Sequence, residues 1–214
     1  MTQLRGEEVA IATGSLTLQG CLTIPRDPLG IVIFAHGSGS SRHSPRNQRV
    51  AHTLNDAGIA TLLFDLLAPA EESDRRNVFD VDMLSTRLVA AARWVHERSD
   101  TGDLPVGLFG ASTGAAAALV ASTDPHLDVR AIVSRGGRPD LAGRALLSIT
   151  APTLLIVGGE DHVVLELNRR SRRLIPAECR LAIVPGATHV FEEPGTLDAA
   201  ARLACDWFVE HLGV

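Results

Sequence analysis

Short, strongly hydrophobic runs alternate along this chain with longer stretches in which apolar residues recur at a helical spacing. The run 31–34 has no polar position, which is typical of a strand buried on both faces of a parallel sheet. Strands that alternate with helices in this way indicate an α/β fold. The pattern predicts about eight strands, at 9–13, 16–24, 31–34, 60–64, 106–109, 131–134, 153–157 and 181–184.

The longer amphipathic stretches predict helices on both faces of this mostly parallel sheet. Prolines mark several of their boundaries, as expected for a residue that breaks helices. The first two strands flank Gly14-Ser15 and are predicted to form an opening hairpin. We find no repeat and no linker, so residues 1–214 are predicted to form a single domain. The expected helices are 45–57, 81–98, 112–122, 163–174 and 196–211.

Two segments between the predicted elements are the only candidates for a cap over the sheet. The 16 residues 136–151 suffice for one helix along the sheet but not for a separate cap as well. The stretch 66–80 contains the run Glu-Glu-Ser-Asp-Arg-Arg, which is too polar to wall a hydrophobic tunnel. We therefore expect a minimal cap or none, and a shallow site that is open to solvent.

Two residue types are missing from the composition, and their absence excludes several kinds of chemistry. The chain has no tyrosine and no lysine, so all 20 basic residues are arginine. Without an amine or a phenol it cannot provide a P-loop lysine, a Schiff base, a serine–lysine dyad or a tyrosine–lysine relay. His and Cys residues do not recur at metal-ligand spacing, so we expect neither a metal nor a cofactor.

Charge, hydropathy and cysteine content predict the location and the partners. The net charge is −5, so no nucleic-acid partner is expected. The N-terminal residues lack an apolar run after a basic start, and no stretch reaches the roughly 20 apolar residues of a membrane span, so we expect no signal peptide and no membrane partner. Three cysteines at unrelated spacings are typical of reduced thiols in a cytoplasmic protein.

The run Gly110-Ala111-Ser112-Thr113-Gly114 matches the G-x-S-x-G motif of a nucleophilic serine. It lies between a predicted strand and an alanine-rich predicted helix, which is the context that the motif requires. The glycines allow a turn tight enough to expose Ser112 at the carboxyl end of the sheet, where a helix N-terminus favours negative charge. The alternative is a glycine-rich turn whose serine caps the helix.

An acid and a histidine, Asp161 and His189, come just after the last two predicted strands. Loops that follow parallel strands converge at one edge of a sheet, so we predict that Ser112, His189 and Asp161 form a catalytic triad. In it the imidazole accepts the serine proton and the aspartate holds the imidazole. Glu160 and His162 are competing candidates. They rank lower because neighbouring residues point in different directions.

The loop after the third strand, His36-Gly37-Ser38-Gly39, is predicted to complete an oxyanion hole. The expected donors are the backbone N–H groups of Thr113 and Ser38. His36 is expected to brace the loop rather than to react. The alternative is that this loop is a plain turn.

Arginines near the ends of strands suit a carboxylate or a phosphate on the substrate. Arg42 and Arg46 follow the predicted oxyanion loop, and Arg135 ends the sixth strand, so these three are predicted as substrate-binding residues. In the alternative reading the arginines bond backbone carbonyls or pair with Asp65, Asp74 or Asp140.

Taken together, these motifs resemble the dienelactone-hydrolase-like branch of the α/β-hydrolase superfamily over nearly the whole chain. They are H-G-S-G-S at 36–40, G-A-S-T-G at 110–114, G-G-E-D at 158–161 and G-A-T-H-V-F at 186–191. The resemblance implies the α/β-hydrolase fold. Dienelactone hydrolase itself uses a cysteine nucleophile, and Ser112 in that place favours general ester chemistry. Similar chains also occur joined to phosphoribosyltransferase-like domains.

We therefore predict a serine hydrolase that cleaves small carboxylic esters or lactones through an acyl-enzyme, with a small-molecule ester as its partner. The same residues would allow acyl transfer to an alcohol or an amine, or cleavage of a thioester. A non-catalytic binding module on the same fold is the alternative of another class. The complete set of serine, histidine and aspartate argues against that module.

Overall fold

The computed structural model describes residues 6–14 and 16–213. Its eight strands follow the hydrophobic runs of the sequence within a few residues, so the prediction of about eight strands is confirmed. The predicted turn of the opening hairpin includes Ser15, which lies outside the described residues. The strands are β1 (Glu7–Thr13), β2 (Leu16–Thr23), β3 (Ile31–Ala35), β4 (Ala60–Phe64), β5 (Val106–Ala111), β6 (Val129–Arg135), β7 (Thr153–Gly158) and β8 (Cys179–Val184).

All eight strands belong to one sheet, in the order β1-β2-β4-β3-β5-β6-β7-β8. β2 pairs antiparallel with β1 and with β4, and every pair from β4 to β8 is parallel. With helices on both faces, this is the α/β-hydrolase fold, as the sequence predicts. The loops that follow β3, β5, β6, β7 and β8 therefore meet at one edge of the sheet.

The five long helices begin and end within two residues of their predicted bounds. Two four-residue helices lie within the stretch 66–80, where the sequence predicts none. The segment 136–151 forms a 3-10 helix with a break at Gly143 (φ 55°), and it packs along neighbouring helices. None of the described helices combines the length and the apolar character of a membrane span. The helices are α1 (Pro45–Asp56), α2 (Pro69–Glu72), α3 (Arg75–Val78), α4 (Val81–Glu97), α5 (Thr113–Ala121), α6 (His162–Arg172) and α7 (Thr196–Leu212), and the 3-10 helix is Pro139–Ser148.

Successive residues of the central strands point to opposite faces and fill two cores. On β3, Ile31 and Ile33 pack with α4 and α5, whereas Val32 and Phe34 pack with α1 and α7. Four consecutive residues of α5, the alanines 115–118, are all buried. Their small side chains let the helix lie close to the sheet, which places the N-terminus of α5 at the edge where the loops meet.

A buried histidine fixes the loop that follows β3. His36 Nε2 accepts a hydrogen bond from the backbone N–H of Leu66 (2.9 Å), so the ring proton is on Nδ1, which donates to the carbonyl oxygen of Gly37 (3.0 Å). His36 is 6% exposed, and burial lowers its pKa below the ordinary value of 6.5. A neutral imidazole therefore braces the loop after β3 against the segment that follows β4, as expected from the sequence.

Acid should destabilise this fold through His36. Because burial lowers the pKa in the folded state, the unfolded chain binds the proton more readily. The free energy of unfolding should therefore decrease as the pH falls below 6.5, by at most about 1.4 kcal/mol per pH unit for this one proton. In His36→Gln a side chain remains that can accept from the Leu66 N–H but cannot be protonated.

Urea unfolding of three proteins across this pH range measures the effect. We expect His36→Gln to lose part of the pH dependence that the wild type shows. The exposed His126→Gln, the matched control, should keep it. An identical pH dependence in all three proteins would contradict the role of the His36 imidazole.

Candidate active site

Ser112 lies in a sharp turn between the end of β5 and the start of α5. Its backbone has φ 51° and ψ −120°, a conformation that residues other than glycine rarely adopt. A Cβ on Gly110 would collide with the backbone of Ala115. One on Gly114 would collide with the carbonyl oxygen of Ala35. Only glycine therefore fits on both sides of the turn.

The Ser112 side chain is directed into a cleft rather than onto its own helix. It makes no capping hydrogen bond to α5 in the described chain. The backbone N–H of Ser112 donates to the carbonyl oxygen of Arg135 (3.3 Å), and its carbonyl oxygen accepts from the N–H of Arg138 (3.1 Å). The turn is thereby joined to the end of β6, and the alternative of a helix-capping serine does not describe it.

Asp161 and His189 are in direct contact. His189 Nδ1 lies 2.6 Å from Asp161 Oδ2. The other carboxylate oxygen accepts a hydrogen bond from the N–H of Val164 (3.4 Å), so Asp161 also caps the N-terminus of α6. The side chain of Asp161 is 13% exposed and that of His189 is 42% exposed. The carboxylate is thus held in the protein, while the imidazole reaches the surface of the cleft.

The two competing candidates, Glu160 and His162, face solvent. They lie 3.9 Å from each other, and both side chains are more than half exposed. Among the described contacts it is Asp161, and not Glu160, that bonds to His189. The described residues contain no group of three His, Cys, Asp or Glu side chains placed to hold a metal ion.

Buried residues hold the loop that carries His189. Ala187 and Phe191 are buried on either side of it, and Phe191 adopts a positive φ of 57°. Gly136, directly after β6, has φ 53°, and a Cβ there would lie 3.0 Å from the carbonyl oxygen of His189. Glycine at position 136 therefore lets the β6 loop pass close to the histidine loop.

Ser112 and His189 line the same polar cleft, which has a volume of about 210 Å³. No direct hydrogen bond joins the two side chains in the described chain. Hydrogen bonds of this kind are often long in an enzyme without substrate and shorten when substrate binds. The cleft is also lined by Gly37, Ser38, Ser40, Ser44, Arg46, Asn47, Ala111, Arg135, Gly136 and Val190.

The two residues predicted to bind an oxyanion are in contact with each other. The backbone N–H of Ser38 donates to Thr113 Oγ1 (3.1 Å). Thr113 is the first residue of α5, so its own N–H has no acceptor within the helix. A Cβ on Gly37 would lie 3.0 Å from the Cβ of Ser112. The loop after β3 therefore lies against the serine, with its Ser38 N–H already bonded to the threonine side chain.

A second cavity, of about 310 Å³, adjoins the loop 37–40. Gly37, Ser38 and Ser40 line both this cavity and the polar cleft, so the loop stands between the two. The stretch 66–80 lines this cavity with apolar residues, which the sequence did not lead us to expect, and also with Glu72 and Arg75 from its polar run. Other polar residues of this stretch, such as Asp74 and Arg76, pair with each other at the surface. The apolar residues on the wall are Leu66, Leu67, Val78, Phe79 and Leu84.

A buried arginine that sequence reasoning missed anchors this wall. Arg87 on α4 donates to the carbonyl oxygen of Leu66 (2.6 Å) and forms two hydrogen bonds with the carboxylate of Glu71 (2.6 and 2.8 Å). These bonds lower the pKa of Glu71 below its ordinary value. A signal was present in the sequence, because Arg87 stands three residues after Leu84 on the apolar face of its helix.

Arg42, the first of the three predicted substrate-binding arginines, is paired within the fold. Its guanidinium bonds to Asp65 and lies 3.6 Å from Glu8. Its backbone N–H also donates to Asp65 (2.7 Å). Arg42 does not line the cleft that holds Ser112. The predicted substrate role is therefore wrong for Arg42, and the alternative of an ion pair with Asp65 holds.

Arg46 and Arg135 both line the polar cleft. Arg135 is 7% exposed, and its Nη2 donates to Oδ1 of Asn47 (3.2 Å). Its Nη1 has no hydrogen-bond partner among the described residues. The guanidinium carbon lies 5.7 Å from the centre of the Phe109 ring. Burial and, secondarily, the charge of Arg46 lower the pKa of Arg135 to about 10, so it remains charged at neutral pH.

Curated relatives and a family model match this chain over most of its length. The model of the alpha/beta hydrolase domain matches residues 29–210. Proteins from two strains of Mycobacterium tuberculosis, each named "putative phosphoribosyl transferase", are 63% identical to it over 209 residues. That match covers 98% of this chain and 47% of each relative. The chain thus spans about half the length of these curated relatives.

Solved structures are similar to the chain in fold, and one is also similar in sequence. The crystal structure of dienelactone hydrolase from Anabaena variabilis is 50% identical, with a TM-score of 0.95, and the match covers 98% of this chain and 99% of that one. Est1E from Butyrivibrio proteoclasticus has a TM-score of 0.80 at 16% identity, over 95% and 98% of the two chains, which is a likeness of fold alone. By the family model and the similarity to the Anabaena protein, this chain belongs to the α/β-hydrolase family, in its dienelactone-hydrolase-like branch.

Proposed function

We propose that this chain is a serine hydrolase that cleaves carboxylic esters or lactones of small molecules through an acyl-enzyme. The observation that carries the proposal is the cleft lined both by Ser112, in its strained turn, and by His189, whose ring is held by Asp161 at 2.6 Å. A serine hydroxyl is a weak nucleophile, and a neighbouring imidazole held by a carboxylate is the usual means of activating it. The hydrolase family supports the same class of reaction.

Acylation begins when Ser112 Oγ attacks the carbonyl carbon of the ester. His189 Nε2 accepts the hydroxyl proton, and the Nδ1–H bond to Asp161 stabilises the imidazolium that forms. When the tetrahedral intermediate collapses, the bond to the alcohol oxygen breaks and His189 protonates that oxygen. A water molecule then attacks the acyl-enzyme and gives its proton to His189. The carboxylic acid leaves, and Ser112 Oγ takes back its proton.

The oxyanion of the tetrahedral intermediates is bound at the N-terminus of α5. The Thr113 N–H donates one hydrogen bond, and the Ser38 N–H is the second donor. Because the Ser38 N–H bonds to Thr113 Oγ1 at 3.1 Å, it must share this bond or exchange it when the oxyanion forms. The threonine hydroxyl thus holds the loop close to its working position before substrate binds.

The name of the curated relatives describes a different activity, and this chain matches only about half of each of them. The alpha/beta hydrolase model matches residues 29–210 of this chain. We therefore assign the hydrolase chemistry to the half of each relative that this chain matches. The transferase activity in the relatives' name would then belong to their other half. We also place this protein in the cytoplasm, since Cys21, Cys179 and Cys205 are all unpaired thiols in the described chain.

Ser112 should be the single residue that a fluorophosphonate labels. Ser112→Ala should abolish labelling and lower kcat by roughly 10⁴- to 10⁶-fold without unfolding the chain, because the lost hydroxyl adds little to the core. The exposed Ser148→Ala serves as the matched control and should label like the wild type. Intact mass spectrometry measures the label. Stoichiometric labelling of the Ser112→Ala protein would refute the assignment.

The acid of the site should be Asp161 rather than its neighbour Glu160. Asp161→Asn should lower kcat by a factor on the order of 10³ to 10⁴, because an amide cannot hold the imidazole in the reactive tautomer. An asparagine still caps α6, so the fold should persist. Glu160→Gln should stay close to the wild type. Steady-state hydrolysis of p-nitrophenyl butyrate measures both, and the reverse ranking would identify Glu160 as the acid.

The cavity lined by the stretch 66–80 should accept acyl chains of limited length. Each methylene that becomes buried should raise kcat/KM about fourfold, until the cavity of about 310 Å³ is full. Phe79→Ala opens this wall and should move the optimum to a longer chain. The measurement is a series of p-nitrophenyl esters from acetate to palmitate. An optimum at about ten carbons or longer in the wild type would show a hydrophobic tunnel larger than this cavity.

A further inference from the structure

A side-chain amide is buried in the helix that begins at the acid of the site. Asn168 lies on α6 and is fully buried. It follows the capping residue Asp161 by about two helical turns, so the two residues lie on the same side of α6. Its Nδ2 donates to the carbonyl oxygens of Val164 (2.8 Å) and Gly137 (2.9 Å). One nitrogen therefore joins α6 to the loop that follows β6.

The loop 136–138 is itself bonded to the turn that holds the nucleophile. The backbone N–H of Arg138 donates to the carbonyl oxygen of Ser112 (3.1 Å). A Cβ on Gly137 would collide with the side chain of Ala115 in the first turn of α5, so the loop lies directly against that helix. The carbonyl group that Asn168 binds is therefore fixed relative to Ser112.

The other hydrogen bond of Asn168 leads to the acid and the imidazole. Val164, whose carbonyl oxygen accepts from Asn168, donates its own N–H to Asp161 (3.4 Å). Asp161 in turn lies 2.6 Å from Nδ1 of His189. The amide of Asn168 thus lies between two units of the site, with the acid and the imidazole on one side and the nucleophile on the other.

Strand pairing fixes these two units only in part. β6 and β7 pair as far as Arg135 and Ile156, and the N–H of Gly136 adds one bond to the Ile156 carbonyl oxygen (2.7 Å). Beyond that point, the described hydrogen bond between the β6 loop and α6 is the one that Asn168 makes. The alignment of the two loops above the sheet therefore depends on this side chain.

The cost of burying the amide supports such a role. Asn168 Oδ1 is buried and has no hydrogen-bond partner among the described residues. A buried polar atom without a partner is unfavourable, and a leucine of similar size would avoid that cost. The Val164 carbonyl oxygen does not need the amide, because in an α-helix it already accepts from the backbone N–H four residues later. What the amide adds is the bond to Gly137.

We propose that Asn168 is a positioning residue, whose amide sets the distance between the Ser112 hydroxyl and the His189 imidazole. This inference rests on the proposed hydrolase function and adds a residue that lines neither the cleft nor the cavity. Ser112 and His189 are not hydrogen-bonded to each other in the described chain, so their approach depends on how accurately the two units are held. A displacement of about 1 Å between reacting groups can lower a rate by a factor of about 10².

Two substitutions remove the bond to Gly137. Asn168→Leu fills a similar volume without a donor, and Asn168→Ser keeps a hydroxyl that can bond to the Val164 carbonyl but is too short to reach Gly137. In both variants, kcat for p-nitrophenyl butyrate and the rate constant of fluorophosphonate labelling should fall about ten- to hundredfold, while KM stays within about twofold of the wild type. Ser171→Ala is the matched control, since Ser171 is buried one turn further along the same side of α6, and it should keep the wild-type rates.

A weakened fold and a displaced nucleophile give different results. Urea unfolding measures the folded fraction of each variant, and each labelling rate constant is divided by that fraction. The corrected rate constants should remain about ten- to hundredfold below that of the wild type. If Asn168→Leu fails to fold, Asn168→Ser decides. A corrected rate constant equal to that of the wild type, or the unfolding of both variants, would show a role in stability alone and would overturn the inference.

A double variant tests whether Asn168 acts through the acid and the imidazole. Once Asp161→Asn has released the imidazole, Asn168→Ser should lower kcat by no more than about twofold. Equal factors in the two backgrounds would show that Asn168 acts independently of Asp161, which would overturn the inference.

Ser112→Ala separates this inference from the proposed function. Stoichiometric labelling of Ser112→Ala would refute the hydrolase assignment, whatever the Asn168 variants do. Wild-type labelling rates in the Asn168 variants, together with an unlabelled Ser112→Ala protein, would overturn the positioning role alone.

Discussion

The close approach of α5 to strands β3 and β5 is the constraint on which the site depends. No side chain fits at Gly110 or Gly114, where a Cβ would enter the backbone of α5 or of β3. The chain can pass from strand to helix there only if Ser112 adopts its strained conformation, at a cost of about 1–3 kcal/mol. The packing of the buried alanines of α5 in the hydrophobic core offsets that strain. The position of the serine is therefore a consequence of core packing.

The loops around Ser112 are held mainly by buried polar contacts. Hydrophobic packing is not directional, whereas a satisfied buried hydrogen bond specifies a distance and an angle. His36 joins the loop after β3 to Leu66, and Arg87 joins Leu66 and Glu71 to helix α4. Both sets of hydrogen bonds are made to the same short segment after β4. That segment can therefore form a defined wall although it has only two four-residue helices of its own.

Sequence patterns predicted the elements well because the spacing of apolar residues that marks a strand or a long helix can be read from consecutive residues. They also placed Asp161 and His189 after the correct strands, since chain order determines which loops meet at the edge of a parallel sheet. The sequence patterns could not predict contacts between residues that are distant in the chain. Arg42 and Arg135 look alike in sequence, but only Arg42 meets an acid, Asp65, which follows β4. The apolar wall from 66–80 was missed because its few hydrophobic residues become neighbours only after α2 and α3 form.

The loop 37–40 separates the cavity beside the stretch 66–80 from the cleft that holds Ser112. On one side, leucine, valine and phenylalanine side chains line the cavity together with Glu72 and Arg75. On the other side, Arg46 and Arg135 line the cleft. Ser38 lines both spaces and, with Thr113, is the proposed source of the oxyanion donors, so an ester that reaches from the cavity into the cleft would have its carbonyl beside Ser112.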